Sequence, residues 1–340
     1  MTEQTRYIMD FARKIISIPS PSGYTKEIIS HLETETAKLG YHHFLTKKGN
    51  LVIEIEGKSD YTLGLSGHVD TLGAMVRSIM ADGNLKFTAI GGPLWPTLDG
   101  EYCQVKTREG KGYTGTFLST SPATHVYKDA STKSRDPENM IVRIDEVVKS
   151  KADTEKLGIA PGDFIFFDPK TQITDSGYIK SRFLDDKISV SIIFGLLKHL
   201  KDNNIVPKYN LKIIISTYEE VGHGASYIPP VDELIAVDMG CIGEDLSCTE
   251  NQVSICCKDS SGPYDYGIIS KLVDISKTNA IDYATDIYPY YGSDVSAAYR
   301  GGHDIKGALI GPGVHASHGM ERTHADAIEN TFKLLINYIK

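Results

Sequence analysis

No apolar run in this sequence approaches the roughly 20 residues needed to cross a bilayer, so a membrane-spanning helix is not expected. Excess basic charge is missing as well. The 340-residue chain carries 36 Lys and Arg against 44 Asp and Glu, a net charge of −8, and its isoelectric point is near 5.8. That balance disfavours a nucleic acid or an anionic membrane as partner. Cysteine is scarce: Cys103, Cys241, Cys248, Cys256 and Cys257 make an odd count with no Cys-x-x-Cys spacing. This argues against a disulfide frame or a thiolate zinc site and suits free thiols in a reducing cytoplasm. The opening stretch from Met1 to Ile16 shows no basic segment ahead of an apolar core, so no secretory leader is expected.

What is present is ordinary soluble-protein composition, 41% hydrophobic and 24% charged, in a length that suits two domains and a large core. Apolar residues at helical spacing predict helices over residues 4–18, 25–39 and 325–339. Between about residues 73 and 172 the texture changes. Glycines are frequent, short β-prone runs such as Gln104 to Thr107 and Met140 to Ile144 alternate with turns, and no long helix is suggested. This predicts a small all-β barrel or sandwich at 73–172, inserted into an α/β domain made of 1–72 and 173–340.

The α/β part is organised around Leu211 to Gly222, LKIIISTYEEVG. Both faces of its Ile213–Ile214–Ile215 run are apolar, as in a buried parallel strand. It delivers two adjacent carboxylates, Glu219 and Glu220, where open parallel sheets place their chemistry, and a short helix to about Tyr227 is expected after Gly222 and Gly224. Adjacent carboxylates repel unless a cation or a shared proton relieves them. Similar deliveries recur. Tyr61 to Leu65 runs into Ser-Gly-His68-Val-Asp70, a short run to Leu184 meets Asp185 and Asp186, Glu233 to Val237 meets Asp238, and Ala308 to Ile310 precedes His315 and His318. Read as ends of one sheet, these groups converge. Oxygen and nitrogen donors without thiolate suit two hydrolytic cations such as Zn²⁺, Co²⁺ or Mn²⁺. A shared Asp would lie between them, and the spare Glu219 would serve as general base. Single acid pairs are ordinarily solvated loops or helix caps; five strand-like runs ending alike are not.

His68-x-Asp70, Leu184-Asp185-Asp186-Lys187, Glu219-Glu220-Val221-Gly222, Val237-Asp238 and Ser317-His318 resemble the motifs of the dinuclear metallo-aminopeptidases. The similar family is that of glutamyl and deblocking aminopeptidases and the self-compartmentalised tetrahedral enzymes. The resemblance covers essentially the whole chain, β insert included. It implies a mixed, largely parallel sheet flanked by helices, as in zinc exopeptidases, and release of N-terminal residues from short peptides. By this resemblance His68 and Asp238 hold one metal, Glu220 and His318 the other, and Asp185 bridges them. Glu219 matches the base and Asp70 the residue that orients His68, while Asp186 is structural or supports a ligand. His318 is preferred to His315 and His324 because Glu321 and Glu329 fall near the family's offsets. The resemblance also implies homo-oligomers, often dodecamers, assembled through the β insert. Lys187 stands where the family has Arg, and VHASHGMERTH departs from its usual last-histidine stretch, which marks a divergent branch. Gly292-Ser293-Asp294 resembles a Gly-Thr-Asp near the substrate pocket. A metal-dependent amidase, deacetylase or carboxypeptidase on the same scaffold is the alternative. A glycosidase acid pair explains the carboxylates less well.

Overall fold

A computed structural model describes residues 1–340. It divides into two units, one of Met1–Thr71 with Lys170–Lys340 and one of Leu72–Pro169.

The first unit is built on a mixed sheet. Its order is His42–Leu45, Leu51–Ile55, Asn210–Ser216, Thr62–His68, Glu233–Val237, Lys306–Val314, Val253–Asp259 and Gly262–Pro263. The four central strands from Asn210–Ser216 to Lys306–Val314 run parallel, and antiparallel neighbours flank them. Register aligns the strand ends: Ser216 pairs with His68, and Ala236 with Ser66. Side chains along these strands divide between two cores. Ile213, Ile215, Ile235 and Val237 join one cluster, while Ile214, Leu234 and Ala236 join another. This is the period-2 alternation of a sheet covered on both faces, and it accounts for the unbroken apolar runs in the sequence.

The larger cluster is sealed by helices. Leu184–Asp202 lies almost entirely in the interior, with Ile188, Ile192, Ile193 and Leu196 fully buried. Glu3–Ile16 packs on it, its Phe11 ring stacked 4.9 Å from Phe194. Gly195 makes that approach possible, since a Cβ there would sit 2.5 Å from Ile8. No helix is long and apolar enough to cross a membrane.

The second unit is a closed six-stranded barrel ordered Gly73–Ile79, Leu85–Ile90, Met140–Ile144, Gly112–Ser119, Tyr102–Lys106 and Phe164–Phe167. Closure leaves no strand edge unpaired. Phe87, Val105, Phe117, Val142 and Ile165 fill it. Trp95 lies 5.1 Å from Phe87 and 6.4 Å from Phe117 by ring centroids, so the single tryptophan packs on this core.

Three local expectations need correction. The run before Asp185 is the strand Tyr178–Ser181, which belongs to a separate three-stranded antiparallel sheet with Gln172–Ile173 and Glu321–His324. His318 lies on the turn between Lys306–Val314 and Glu321–His324, at φ 63°, and not at a strand end. A helix expected to continue to Tyr227 does not form: after the short 3-10 turn Glu219–Val221 the chain turns left-handed at Gly222, φ 83°.

Candidate metal centre and active site

Three neighbouring parallel strands deliver the first groups. Thr62–His68 ends on His68, Asn210–Ser216 leads to Glu219 and Glu220, and Glu233–Val237 leads to Asp238. Asp185 and Asp186 enter from the first turn of the Leu184–Asp202 helix. His318 enters from its turn, where Glu321 fixes it. The Glu321 carboxylate accepts the Asp185 N–H with one oxygen and the His318 N–H with the other, each at 3.0 Å. Gly67 opens the floor: a Cβ there would lie 3.1 Å from Asp186 Oδ2, the oxygen that accepts the His68 N–H at 3.1 Å.

These side chains form one cluster. His68 Nε2 is 3.1 Å from Asp185 Oδ1, 3.7 Å from Glu219 Oε2 and 4.0 Å from Asp238 Oδ2. His318 Nε2 is 3.5 Å from Asp185 Oδ2 and 3.6 Å from Glu220 Oε2. The two Asp185 oxygens thus face different imidazoles. His68 Nδ1 lies 3.0 Å from the Asp70 carbonyl. A ring that donates there turns the Nε2 lone pair towards the carboxylates.

Asp70 is fully buried, and its carboxylate serves chiefly the glutamate turn. It accepts N–H bonds from Glu219 at 3.0 Å and Glu220 at 3.2 Å, as well as the Ser22 hydroxyl. Its distance to His68 Nδ1 is 3.7 Å. The residue expected to orient the imidazole therefore ties the His68 strand end to the turn bearing both glutamates.

Electrostatics shows what the cluster lacks. Burial pushes the Glu219 and Glu220 carboxyls well above the usual range, with Asp238 adding to the first and Asp185 to the second. Burial and Asp185 push Asp238 up to about 7. Asp186 is raised strongly by burial and Asp238. Asp185 moves the other way, because hydrogen bonds from His318 and His68 outweigh its burial. Burial would lower His68, but Asp185, Glu219 and Asp238 raise it well above its ordinary value.

Five carboxylates confront two imidazoles, so with all five ionised negative charge would be in surplus even with both rings protonated, and the raised carboxyls reflect that conflict. Buried charge of one sign needs compensation. The donor set fits divalent cations. Atoms of His68, Asp186 and Asp238 lie within 4.8 Å of one another, as do those of His68, Asp185 and Glu220. Asp186 Oδ1 is buried without a hydrogen-bond partner. Oxygen and imidazole donors at this spacing suit zinc-like ions.

The structure thus brings His68, Asp185, Glu219, Glu220, Asp238 and His318 together, with Asp70 behind the turn. His315 instead pairs backbone to backbone with Arg322. His324 caps the Ala325–Ile339 helix by accepting the Asp326 N–H. Sequence reasoning gave Asp186 and Glu321 too small a part. The doubled aspartate was the available signal for the first. The second sat three residues from His318 and served only as a spacing marker.

A helix-flanked mixed sheet with an inserted β-barrel is a fold that this chain shares with solved TET aminopeptidases. The profile of the M42 glutamyl aminopeptidase family matches residues 49–334, and the chain belongs to that family. It is 47% identical to the "Putative aminopeptidase YhfE" of Bacillus subtilis (strain 168) over 98% of both chains. To the glutamyl aminopeptidase of Lactococcus lactis subsp. cremoris (strain MG1363) it is 25% identical, over 63% of this chain and 60% of that one. Among solved structures, an aminopeptidase from the archaeon Desulfurococcus kamchatkensis superposes with a TM-score of 0.89 at 22% identity, covering 99% and 95% of the two chains. The TET1 peptidase of Pyrococcus horikoshii superposes with a TM-score of 0.85 at 23% identity, covering 98% and 99%. At those identities the likeness is one of fold.

Proposed function

We propose that this aminopeptidase is metal-dependent, releases N-terminal residues from short peptides, and uses Glu219 as its general base. The observation that carries the reading is Asp185, whose two oxygens face His68 and His318 separately within a surplus of buried carboxylate. Two divalent cations fit, with Zn²⁺ the first choice and Co²⁺ or Mn²⁺ alternatives. His68 and Asp238 would hold one, Glu220 and His318 the other, with Asp185 shared. Such ions supply Lewis acidity for the carbonyl oxygen and lower the pKa of water.

The chain's own groups do the rest. Glu219 Oε takes the proton of the attacking water as oxygen bonds to the carbonyl carbon. The same oxygen returns the proton to the departing nitrogen as the C–N bond breaks. The products are a free amino acid and a peptide shortened by one residue. Asp70 holds Glu219 in place through its backbone N–H. Surplus negative charge favours a substrate with a free α-ammonium over an N-acylated one.

Assembly into a dodecamer or similar shell is part of this proposal. The Pyrococcus horikoshii TET1 peptidase is described as forming a tetrahedron or a large octahedral shell. The barrel unit exposes Tyr102, Val126 and Val147 at 65%, 73% and 93%, apolar surface that an interface would cover. All five cysteines are free, which agrees with a cytoplasmic setting.

The test is a panel of aminoacyl-nitroanilides and their N-acetylated counterparts, run on metal-stripped and metal-restored protein with sizing of the same sample. Cleavage of the free-amine series only, and only with metal, is expected, at a mass near twelve 37.4 kDa chains. Preferential cleavage of the acetylated series would replace the aminopeptidase reading with that of an amidase or deacetylase.

A further inference from the structure

The turn bearing Glu219 and Glu220 leaves the Asn210–Ser216 strand and returns at Gly224 and Ala225 without helix or sheet of its own beyond the 3-10 turn Glu219–Val221. Its internal bonds are few: Gly222 N–H to the Glu219 carbonyl at 2.6 Å and His223 N–H to the Tyr218 carbonyl at 3.1 Å. An isolated segment of this kind is expected to be mobile, yet a general base must be held near its working geometry.

Two buried side chains from distant parts of the chain each join the outgoing limb to the returning limb. Asn50, 1% exposed, precedes the Leu51–Ile55 strand. Its Oδ1 accepts the Thr217 hydroxyl at 2.9 Å, and its Nδ2 donates to the Gly224 carbonyl at 3.0 Å. Asp294, 2% exposed, opens the helix Asp294–Arg300. Its Oδ2 accepts the Ser216 hydroxyl at 2.8 Å, and its Oδ1 accepts the Ala225 N–H at 3.0 Å. Ser293 takes the N-cap position of that helix, its N–H donating to Ser296 Oγ at 2.8 Å, and the Asp294 carboxylate is left for the turn. Lys48 also touches both limbs: its carbonyl lies 3.5 Å from the Thr217 hydroxyl, and its Nζ donates to the His223 carbonyl and to Ser226 Oγ, the latter at 2.7 Å. At Gly224 the limbs lie so close that a Cβ would meet Asp294 Oδ1 at 2.6 Å and both Glu219 N and Ser216 Oγ at 2.9 Å.

We propose that Asn50 and Asp294 are positioning residues, a pair of staples that clamp the two feet of the glutamate turn and hold Glu219 in register for proton transfer. The inference deepens the proposed function and rests on Glu219 as the base. The polarity of the two staples makes it testable with near-isosteric changes. Asn50→Asp keeps the shape but turns a carboxylate oxygen on the Gly224 carbonyl. Asp294→Asn keeps an acceptor for the Ala225 N–H and offers a donor to Ser216 Oγ.

The experiment measures amide hydrogen exchange over residues 218–225 in the metal-free full chain, alongside kcat, KM and bound metal after metal is restored. For N50D, exchange over this segment rises at least about tenfold, and kcat falls about ten- to a hundredfold with KM within about threefold. For D294N exchange over the segment stays nearer wild type than for D294A, which behaves like N50D. Wild-type exchange in folded N50D, or equal damage from D294N and D294A, overturns the proposal. If N50D does not fold, Thr217→Val removes the hydroxyl that Asn50 Oδ1 accepts, together with its longer contact to the Lys48 carbonyl, and speeds exchange over the same segment; unchanged exchange there also overturns it. Exchange needs neither metal nor substrate, so a wild-type chain without peptidase activity would sink the proposed function and still leave the staples to be judged.

Discussion

The two units use their interiors differently. The barrel unit buries an aromatic and aliphatic core, Phe87, Phe117, Val142 and Ile165, all fully enclosed. Its ion pairs lie towards the surface, as in Arg77–Glu138, and its buried Asp163 accepts backbone N–H bonds from Arg108 and Ala160. The α/β unit also has a large apolar core, but it sets Asp185, Asp186, Asp238 and His68 at 5% exposure or less, and neither group of prospective metal donors lies outside it. Barrel closure satisfies the backbone and leaves side chains free to pack. Parallel strand ends instead leave a rim where side chains from neighbouring strands meet. Both groups of prospective metal donors therefore fall in one unit, while the other is built around a packed apolar core.

The sharpest way to break that contrast is Glu219→Gln. It should lower kcat about 100- to 10,000-fold while bound metal stays at the wild-type level, checked by steady-state kinetics and elemental analysis. Retained turnover would mean that the α/β rim is not where the proton moves. In the barrel, Phe117→Ala should cost about 3–5 kcal/mol of stability, read by denaturant unfolding, with metal bound per folded chain unchanged. Loss of metal in that variant would join what the comparison separates.

A pH experiment isolates the charge cluster. Asp238 ordinarily titrates at 3.8 and stands at about 7 in the fold. Between those values the folded state holds a proton that the unfolded state has lost, so metal-free stability falls as pH rises through that window. Asp238→Asn lacks this loss while keeping an acceptor for the Met239 N–H, which Asp238 now accepts at 2.6 Å. The stability gap in favour of metal-free D238N should open from about pH 4 to about pH 7 and stay level above. Added Zn²⁺ should reverse the order, because the wild-type carboxylate then has a cation to bind. A gap that does not vary with pH would remove Asp238 from the cluster. The smallest effect is expected at the barrel surface, where Arg77→Ala breaks an exposed pair and should leave Tm unchanged within error.

Much of the α/β frame could be read from the sequence because the sheet is covered on both faces. Continuous apolar runs at 213–215 and 234–237 announce buried strands, and the acids just beyond them fall at the rim. Asp185 was less readable. Its approach runs through a small antiparallel sheet, and what places it is the pairing of Ser181 with Glu321, a contact 140 residues apart that no local pattern encodes. The helix expected through Tyr227 fails for a related reason. The His223 and Gly224 carbonyls are taken by Lys48 and Asn50, so tertiary partners replace the helical ones. The Asn50 side chain left no local signal, since its partners Thr217 and Gly224 lie more than 160 positions away.

Gly224 has a consequence for how this chain can diversify. Its neighbour Val221 is 41% exposed, so mutation there meets little resistance. At 224 even a methyl group would collide with backbone and with a buried carboxylate on the same side. Evolutionary drift along this loop is thus channelled outward, and the innermost position is a closed door that no gradual path through larger residues can open.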